Sequence, residues 1–571
     1  MIEDLKACTS RLGLAVLLGV KASELSYTLY KIPDAAKYTS FCISKKSGGT
    51  RQILAPCSAL KWLQGRLLEL LYLCEDDINA ASGSIRNLHS GFRRDINIYE
   101  NAEVHRGKRY VFNLDIENFF DQYNFGRVRG FFINDRDFAL NPTVATTIAQ
   151  IACFNNVLPQ GSPTSPHIAN LLTQFFDNRM ARFLRPRRCG YTRYADDITI
   201  STNVREFPAE LAIRTPTDPQ GWSIAPDLAA IFARANLPPN PSKTRMSLYS
   251  SRQTVTGLVV NQRPNVTREY YLQTRSMCDH LFKTGIIQIP DITTSYGKNC
   301  PADADAEPGT GVDPIKVLEG RLSHIHHIRE KSDLRSIQDK QDNPTQFWSM
   351  LQDFFLFKYF VANKKPLILT EGPSDIFYIR SSILNNTKHA LPELKQVAGG
   401  VTTILPTFFR FNTVAAKVIG LTGGAGNIKR FLYLYNKQEK RFNSALRHNP
   451  VIIVIDNDSG GSDVINMING IYKTNISLND PVMAHKIKNG LILVKTPHVG
   501  TKMQTAIEDL LPASVKAVKL NGNSFSASKK FDNTKHFGKV ALGSYVQANA
   551  ASISFQGFDD FIVAINDAVT M

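Results

Sequence analysis

The stretch YTRYADDITIS (Tyr191–Ser201) places two adjacent aspartates, Asp196 and Asp197, inside a strand-forming and largely apolar sequence. In an extended strand, neighbouring side chains point to opposite faces, and two adjacent carboxylates repel each other. The pattern is explained if Ala195–Asp197 form a tight turn between the paired strands YTRY and ITIS. Both carboxylates would then lie at a hairpin tip, where a divalent cation offsets their repulsion. Asp is also an ordinary residue of solvated turns, so the rest of the chain has to decide.

The composition indicates a multidomain globular protein with a polyanionic partner. The chain has 571 residues, which exceeds a single core, so we expect roughly two to four domains. A formal net charge of +17 favours nucleic acid as the partner, although a membrane surface could use the same charge. The apolar run Leu12–Val20 is far too short to span a membrane. None of the eight Cys residues forms a CxxC pair, which argues against a zinc ribbon and favours a reducing cytoplasm.

The sequence changes in character near residues 360–366. Before this point, strand-like segments alternate with helical stretches. After it, short apolar runs such as PVIIVID each precede a helical pattern, which is typical of a parallel sheet with crossover helices. A segment rich in Gly, Pro, Ala and Asp at about 296–314 predicts a flexible insertion. We therefore predict three regions: 1–260, 261–360 and 361–571.

A third carboxylate follows a strand-like segment. In YVFNLDIENFF (Tyr110–Phe120), Asp115 ends an apolar run. Two-metal phosphoryl transfer needs carboxylates from separate strands that converge on cations about 3.5–4 Å apart. Asp115 and the Asp196–Asp197 pair would supply such a site. The metals would activate a primer hydroxyl and neutralise charge on an incoming triphosphate.

Further motifs surround these aspartates in a definite order. They are KKSGGTRQI (Lys45–Ile53), NAEVH (Asn101–His105), NLDIENFF, LPQGSPTSP (Leu158–Pro166), YADD, NPSKTRMS (Asn240–Ser247) and VTGLVVN (Val255–Asn261). In this order they resemble the motifs of reverse transcriptases, and NAxxH and VTG resemble elements of the retron type. The resemblance covers roughly residues 25–335.

The resemblance implies roles for individual residues. Asp115, Asp196 and Asp197 would be the catalytic ligands of two Mg²⁺ ions. Phe120 would lie beneath the nucleotide sugar and select dNTPs, unless it is a plain core residue. The other implied nucleotide-site residues are Gln160 and Gly161, which would contact nucleotide and template, and Arg51 and Lys243, for which a solvated charge or a backbone contact stays open. The implied RNA-binding residues are Asn101, His105, Val255, Thr256 and Gly257, with a structural role open for His105.

Retron enzymes also suggest the partners. They prime from a 2′-hydroxyl of an internal guanosine and make a branched RNA–DNA product, msDNA. The resemblance thus implies a cognate retron non-coding RNA, its msDNA and dNTPs as partners, in a bacterial cytoplasm and without a membrane. Homo-oligomerisation stays open. An intron-type reverse transcriptase is the competing interpretation, and VTG with NAxxH favours the retron.

The second half carries another set of carboxylates. PLILTEGPSDIFYIRSSIL (Pro366–Leu384) predicts strand, turn and helix, with Glu371 at the carboxyl end of the strand and Asp375 at the start of the helix. PVIIVIDNDSGG repeats this arrangement, with Asp456 and Asp458 just past a buried strand. In open parallel sheets, ligands bind at the carboxyl ends of the strands.

EGxxD followed by DxDxxG resembles the Toprim fold of topoisomerases, primases and overcoming-lysogenization-defect nucleases. The resemblance implies that Asp456 and Asp458 bind Mg²⁺ or Mn²⁺, and that Glu371 is a further ligand or a catalytic acid or base. Candidates for a second metal or for phosphate stabilisation are Asp375, Glu508, Asp509 and Lys539, of which the acidic ones could equally form a solvated helix face. A Walker-type phosphate loop is disfavoured because the Gly-rich turn in VIGLTGGAGNIKRFL has no GK[ST].

The predicted fold is an α+β right-hand polymerase with fingers, palm and thumb, followed by an α/β Toprim domain with a mainly parallel sheet. The predicted function is RNA-directed DNA synthesis by a retron enzyme, fused to a metal-dependent nuclease effector in antiphage defence. The rival hypothesis treats the second half as a non-catalytic docking module.

Overall fold

The computed structural model describes residues 1–44, 49–82, 88–94, 96–215, 221–287, 313–488, 490–502, 504–528 and 531–571. These residues form two compact units. Apart from the gaps named above, unit 1 contains 1–272, Asp313 and 323–333. Unit 2 contains 273–287, 314–322 and 334–571. The predicted insertion at 296–314 lies almost entirely outside the described residues. The predicted boundary near 360–366 does not coincide with the division between the units, because much of the predicted region 261–360, the thumb, groups with unit 2.

Most of unit 1 is helical, and its sheets are small. Its helices are α1 (Ile2–Ala7), α2 (Arg11–Leu17), α3 (Ala22–Tyr30), α4 (Asp34–Lys37), α5 (Ser58–Ser82), α6 (Ile98–Glu103), α7 (Phe125–Asn134), α8 (Pro142–Ala152), α9 (Ser165–Leu184) and α10 (Pro226–Ala235). Its strands are β1 (Tyr38–Ser44), β2 (Thr50–Pro56), β3 (Tyr110–Asp115), β4 (Gly190–Tyr194), β5 (Asp197–Thr202), β6 (Ala212–Arg214), β7 (Trp222–Ile224), β8 (Arg245–Leu248), β9 (Thr254–Val255) and β10 (Leu258–Val259).

A four-stranded antiparallel sheet with the order β4-β5-β3-β8 organises unit 1. Strand β5 shows why this sequence forms a central strand. Ile198 and Ile200 alternate with Thr199 and Ser201, so one face of the strand is apolar and packs into the main core of the unit. The hydroxyl-bearing face is also buried, and its polar atoms are bonded to neighbouring side chains. A separate two-stranded sheet pairs β1 with β2, and β2 contains the last four residues of the motif KKSGGTRQI.

Local sequence sets several helix boundaries in unit 1. The Asn141 side chain accepts a hydrogen bond from the amide of Thr143, and Pro142 occupies the first position of α8, a favourable arrangement for a helix start. Ser10 and Asn124 cap α2 and α7 in the same way. Capping of this kind contributes about 1 kcal/mol per helix.

The remaining elements belong wholly or partly to unit 2. The helices are α11 (Arg268–Thr284) and α12 (Pro314–Glu330), whose residues divide between the units, and then α13 (Ile337–Asp342), α14 (Gln346–Leu356), α15 (Pro373–Asn385), α16 (Val414–Ile419), α17 (Ala425–Gln438), α18 (Ser459–Tyr472), α19 (Ala513–Lys516), α20 (Lys539–Ala548) and α21 (Asp559–Ala568). The strands are β11 (Leu367–Leu369), β12 (Lys395–Ala398), β13 (Val401–Ile404), β14 (Thr407–Phe408), β15 (Val451–Ile455), β16 (Ala484–Lys488), β17 (Leu491–Lys495), β18 (Lys519–Leu520), β19 (Asn523–Phe525) and β20 (His536–Phe537).

Unit 2 is built around a five-stranded sheet with the order β14-β11-β15-β17-β16. The first four strands are parallel, and β16 pairs antiparallel to β17 at one edge. All residues of β15 and β17 are buried, so both faces of the central sheet are covered. Ile452 and Val454 pack into a core that includes residues of α15, α20 and α21. The carboxyl ends of β11 and β15 therefore open at the same edge of the sheet.

Within the described ranges, no single helix is both long and apolar enough to cross a membrane. One sharply bent pair, α2 with α3, passes the same test of length and composition jointly.

Candidate active sites

The YADD sequence forms the tip of a two-residue hairpin between β4 and β5. YTRY lies in β4, Ala195 and Asp196 make the turn, and Asp197 already opens β5. Ala195 has φ of 58°, the positive value that a tight hairpin turn requires. The turn is thus one residue shorter than the sequence predicts. Asp197 faces Asp115 directly across the β3–β5 pair, so their side chains share one face of the sheet.

The three aspartates repel one another in the absence of a cation. The pKa of Asp196 is raised by burial and then by Asp115. Although Asp197 keeps some surface open to solvent, the surrounding protein and then Asp196 and Asp115 raise its pKa to about 6. Lys243 supplies a compensating charge, because its Nζ donates to Asp115 Oδ2 at 2.7 Å. The cluster is therefore a concentrated negative site with a single close ammonium partner among the described residues.

The nucleotide-site candidates lie on elements that flank this cluster. Arg51 is exposed on β2 and is close enough to lower the pKa of Asp196 slightly. Phe120 is half-buried in a short helical turn directly after β3, at the margin of the core. Gln160 accepts a hydrogen bond from the amide of Leu54 (2.7 Å), so the PQG turn, with Gly161, rests against β2. Their contacts with nucleotide or template remain predictions.

A cavity of about 360 Å³ joins the aspartates to the VTG motif. Its walls include Asp115, Asp197 and Lys243 together with Thr256 and Gly257. The last two residues form the turn between β9 and β10, with φ of 46° and 84°. The VTG hairpin therefore borders the same cavity as Asp115 and Asp197.

Three of the five RNA-binding candidates are buried in the structure. His105 is 0% exposed, and its ring nitrogens pair with the hydroxyls of Thr192 (2.8 Å) and Ser201 (2.7 Å), so it ties β4 to β5. Asn101 and Val255 are also buried, because they pack beneath the VTG turn, where Asn101 Nδ2 donates to Thr256 Oγ1 (3.4 Å). Of the five candidates, Thr256 and Gly257 keep accessible surface.

Mg²⁺ fits the palm cluster by donor chemistry. In the part of the chain that the structure describes, no group of three or more His, Cys, Asp or Glu side chains is arranged to hold a metal ion as it stands. Carboxylate oxygens are nevertheless the ligands that Mg²⁺ prefers. Lys243 already holds positive charge against Asp115, and together with Arg245 it only partly offsets the charge around Asp197, whose pKa stays raised. Asp115, Asp196 and Asp197 are the residues that would hold the ions after small side-chain rotations.

The second cluster lies at the carboxyl edge of the unit 2 sheet. Glu371 follows β11, and Asp456 and Asp458 follow β15, which is the neighbouring parallel strand. Asp458 caps α18 by accepting a hydrogen bond from the amide of Gly461 (2.9 Å). A Cβ atom on Gly461 would lie 2.0 Å from the carbonyl oxygen of Asp456, so the first turn of α18 requires glycine at this position.

The carboxyl pKa values of this cluster are raised by burial and by neighbouring carboxylates. Burial, and then Asp375 and Glu371, raise the pKa of Asp456 to about 8. The pKa of Asp375 is raised to about 7 by burial and then by Glu508, against the hydrogen bond from the Gly372 amide. Burial and then Asp458 raise the pKa of Glu371. Among the causes of these shifts, Lys539 is the one positively charged side chain.

Two buried oxygens make this cluster receptive to a cation. Glu371 Oε2 and Glu508 Oε1 have no hydrogen-bond partner among the described residues. Lys539 Nζ donates to the other oxygen of Glu508 at 3.0 Å. Unpartnered buried carboxylate oxygens are costly unless a ligand satisfies them. The donor set therefore fits Mg²⁺ or Mn²⁺, although no closed metal site is present in the described ranges. Asp509 instead forms an ion pair with Lys502.

Sequence reasoning missed two groups of residues. Exposed His498 lies beside Asn457, with 3.4 Å between Asn457 Nδ2 and His498 Nδ1, next to the DxD loop. Arg193 is buried beside the YADD turn and pairs with Asp177. A charged residue within an otherwise apolar strand was the available signal for Arg193. His498 follows β17 in the sequence, and the position of that strand beside β15 could not be known in advance.

The comparisons with known proteins concern the first of these sites. The family model described as reverse transcriptase (RNA-dependent DNA polymerase) matches residues 43–264. The retron Ec86 reverse transcriptase of Escherichia coli is 30% identical over 249 residues, which are 43% of this chain and 70% of that protein. The chain belongs to the retron reverse transcriptases.

Other retron reverse transcriptases are matched over smaller shares of their length. Those of retrons Mx65 and Mx162 of Myxococcus xanthus are 30% and 28% identical, and the alignments cover 46% and 44% of this chain. The chain spans 61% and 53% of these two relatives. Two telomerase structures, from Candida tropicalis and Candida albicans, overlay 43% and 58% of the chain, and 61% of each of those chains, at 13% and 8% identity. Their TM-scores of 0.27 and 0.29 are too low to define a shared fold. The family match ends at residue 264, before unit 2 begins.

Proposed function

We propose that unit 1 copies a cognate retron non-coding RNA into branched msDNA, with Asp115, Asp196 and Asp197 holding two Mg²⁺ ions. The observation that carries the proposal is the register that sets Asp197 opposite Asp115, with Asp196 in the adjoining turn. Bound Mg²⁺ would supply the charge that activates the priming hydroxyl and stabilises the departing pyrophosphate.

The protein's own side chains would orient the reactants. Arg51, which lies on β2, would clamp the triphosphate, and Phe120 would exclude a 2′-hydroxyl from the nucleotide site. Lys243 already contacts Asp115, and on nucleotide binding it would be free to donate to the departing phosphate. The exposed tip of the VTG hairpin, Thr256 and Gly257, would contact the cognate RNA at the edge of the same cavity.

The test is DNA synthesis by the purified full chain on its cognate RNA with dNTPs and Mg²⁺. Treatment of the product with a debranching enzyme reports a 2′,5′ linkage by a shift in gel mobility. A product insensitive to debranching would favour an intron-type reverse transcriptase that extends an ordinary 3′ end. Absence of any product would contradict the assignment of the palm site.

We further propose that unit 2 is a Toprim domain that cleaves phosphodiesters with Mg²⁺ or Mn²⁺. The motif pair EGxxD and DxDxxG supports this, and so do the two unpartnered oxygens of Glu371 and Glu508 at the carboxyl edge of a parallel sheet. Asp456 and Asp458 would bind the ion with Glu371. Lys539, held by Glu508, would be positioned to stabilise phosphate charge. In this proposal the branched product restrains the nuclease until phage infection, so the chain acts in antiphage defence.

A cleavage assay separates this proposal from a docking module. The full chain is incubated with single-stranded DNA, duplex DNA or RNA and with Mn²⁺ or Mg²⁺, as wild type, Glu371→Gln and Asp197→Asn. Cleavage by Asp197→Asn and by wild type freed of its msDNA, but not by Glu371→Gln treated in the same way, supports the nuclease. Cleavage equal in wild type and Glu371→Gln, or absent on every substrate after removal of the msDNA, favours the docking module.

A further inference from the structure

A buried arginine lies directly behind the catalytic turn. Arg193 is the fourth residue of β4, two residues before Ala195, and is 0% exposed. Removing a guanidinium from water costs several kcal/mol, of which only well-made hydrogen bonds and an opposite charge recover a part. A buried arginine at this position therefore calls for a specific arrangement of partners.

Helix α9 supplies these partners. Nε and Nη2 of Arg193 donate to the two carboxylate oxygens of Asp177 at 2.8 and 2.7 Å, which is the bidentate geometry of a strong ion pair. Nη1 donates to the side-chain oxygen of Asn170 at 3.0 Å. Asn170 and Asp177 are seven residues apart, so two helical turns place them on the same face. Tyr191 completes the ion pair by donating to Asp177 at 2.6 Å.

One bond of this network reaches the turn itself. Nη1 of Arg193 also donates to the carbonyl oxygen of Ala195 at 3.1 Å. Ala195 has φ of 58°, a left-handed conformation that is unfavourable for a residue with a side chain. Such a conformation persists where the surroundings enforce it. The contact with the guanidinium is therefore a restraint on the peptide that precedes Asp196.

The opposite side of the turn is closed by the segment around Gly91. Asn170 Nδ2 donates to the carbonyl oxygen of Gly91 at 2.8 Å, and the amide of Ser90 donates to the carbonyl of Arg193 at 2.8 Å. A Cβ atom on Gly91 would lie 2.7 Å from the amide nitrogen of Ala195. The turn is thus held between the guanidinium on one side and the glycine backbone on the other, and Asn170 bonds both.

We propose that Arg193, Asp177, Asn170 and Gly91 form a clamp that positions the Ala195–Asp196 turn for metal binding. The four residues contact one another and the turn, and in this proposal they act through the turn, so they are positioning residues. The clamp acts through the turn: it fixes Asp196 and the first residue of β5, Asp197, relative to Asp115. The proposal rests on the proposed polymerase function of these three aspartates.

Three variants disturb the contacts of the clamp in different ways. Arg193→Lys keeps a charge opposite Asp177, but an ammonium cannot make the fork to Asp177 and reach Ala195 together. Arg193→Met with Asp177→Leu removes the ion pair without leaving a buried charge. Gly91→Ala changes no polar group and presses a methyl group against the turn. The matched control is Thr173→Val, which removes a buried hydroxyl on α9 that bonds Tyr123 and Ala169 rather than the turn.

The readouts are primer extension across a Mg²⁺ titration and hydrogen exchange in Mg²⁺-free protein. The amide of Ile116 donates to the carbonyl oxygen of Asp196 at 3.0 Å, so its exchange reports the turn without activity. For the three variants we expect kcat to fall about 10- to 100-fold, because small displacements of reacting groups have effects of that size. We also expect a higher half-saturating Mg²⁺ concentration, a KM for dNTP within about twofold of wild type, and faster exchange at Ile116.

The outcomes decide between positioning and plain stability. The clamp is refuted if the folded variants match Thr173→Val in kcat, Mg²⁺ dependence and Ile116 exchange. If the double variant does not fold, Gly91→Ala and Arg193→Lys decide by the same criteria. Failure of the polymerase assignment is distinguishable, because Asp197→Asn would then retain full synthesis whatever the clamp variants do.

Discussion

Asp197 faces Asp115 across one strand pair, and the chemistry proposed for unit 1 depends on that juxtaposition. The adjacent aspartates of YADD predict that Asp196 lies in a turn between two strands. The hydrogen bonds of Arg193 are not predictable in this way, because its partners lie on α9, outside the hairpin. The sequence thus indicates the chemistry of a single residue more readily than it indicates the tertiary contacts that orient that residue.

Replacing Asp197 by Asn should lower DNA synthesis by about 10³-fold or more, since charge that stabilises the transition state is lost. The thermal unfolding midpoint should be unchanged or slightly raised, because the substitution removes repulsion with Asp196 and Asp115. Differential scanning fluorimetry and primer extension measure both. Full synthesis from a folded Asp197→Asn protein would exclude the metal-site assignment.

Phe120→Ala should admit ribonucleotides, because the ring is proposed to occupy the space that a 2′-hydroxyl needs. Discrimination between dNTP and rNTP should fall by about tenfold or more. The neighbouring core residue Phe119, substituted by Leu, serves as the control for packing loss alone. Unchanged selectivity in a folded Phe120→Ala protein would assign the ring to the core.

Buried histidines predict how stability depends on pH. Burial lowers the pKa of His105 and of His167 to about 3, whereas unfolded His titrates near pH 6.5. Below about pH 6.5 these histidines therefore bind more protons in the unfolded chain than in the folded one. Each such His lowers the free energy of unfolding by about 1.4 kcal/mol for every unit by which the pH is decreased. The raised carboxyl pKa values of Asp456 and Asp375 act in the opposite direction over the same pH range, so the prediction concerns the difference between wild type and a His105 variant. Relative to wild type, His105→Gln should gain stability, measured as the urea midpoint, as the pH is lowered from 7 to 5. Parallel changes of the midpoint in the two proteins would contradict the assignment.

At the scale of elements, the VTG hairpin shows what the sequence could and could not supply. The motif itself was recognisable, and so were the strands around YADD and the apolar runs that became β11 and β15. The cavity that joins Thr256 to Asp115 was not, because the hairpin reaches the cluster through tertiary packing of β9 and β10. For the same reason His105 was expected at the RNA and is instead buried between β4 and β5. Motif identity follows from local sequence, whereas exposure is set by long-range contacts.

Thr256→Gly tests the hairpin tip. A β-branched residue at φ of 46° is strained, and glycine removes that strain. The midpoint of unfolding should therefore be unchanged or higher, while use of the cognate RNA falls because the threonine side chain is lost. Extension of a generic primer on a generic template is the internal control. Equal loss on both substrates would mean that the hairpin serves the palm alone.

At the scale of the whole molecule, the chain carries two carboxylate clusters on two sheets of different kind. One sheet is antiparallel and presents Asp115 and Asp197, and the other is mainly parallel and presents Glu371 and Asp456. The two-part organisation was predictable from the change in sequence character. The division itself was not, because it depends on which residues pack together rather than on chain order, and 334–360 groups with unit 2.

Glu371→Gln and Asp456→Asn should leave branched DNA synthesis intact and abolish defence, because neither residue belongs to the palm sheet. Branched DNA on a gel and plaque counts on cells carrying each variant measure the two outcomes in parallel. Asp463→Asn, an exposed carboxylate of α18 paired with Lys429, is the matched control and should behave as wild type. Defence that survives both substitutions would support the docking module, and loss of branched DNA would mean that the two clusters depend on each other.

The most direct test of the central claim is to sequence the nucleic acid that copurifies with the full chain expressed from its native locus. We expect one DNA species joined to one RNA through a branch, present with wild type and Glu371→Gln and absent with Asp197→Asn. Random cellular RNA in all three preparations, without a joined DNA, would contradict the assignment of this chain as an msDNA-producing enzyme.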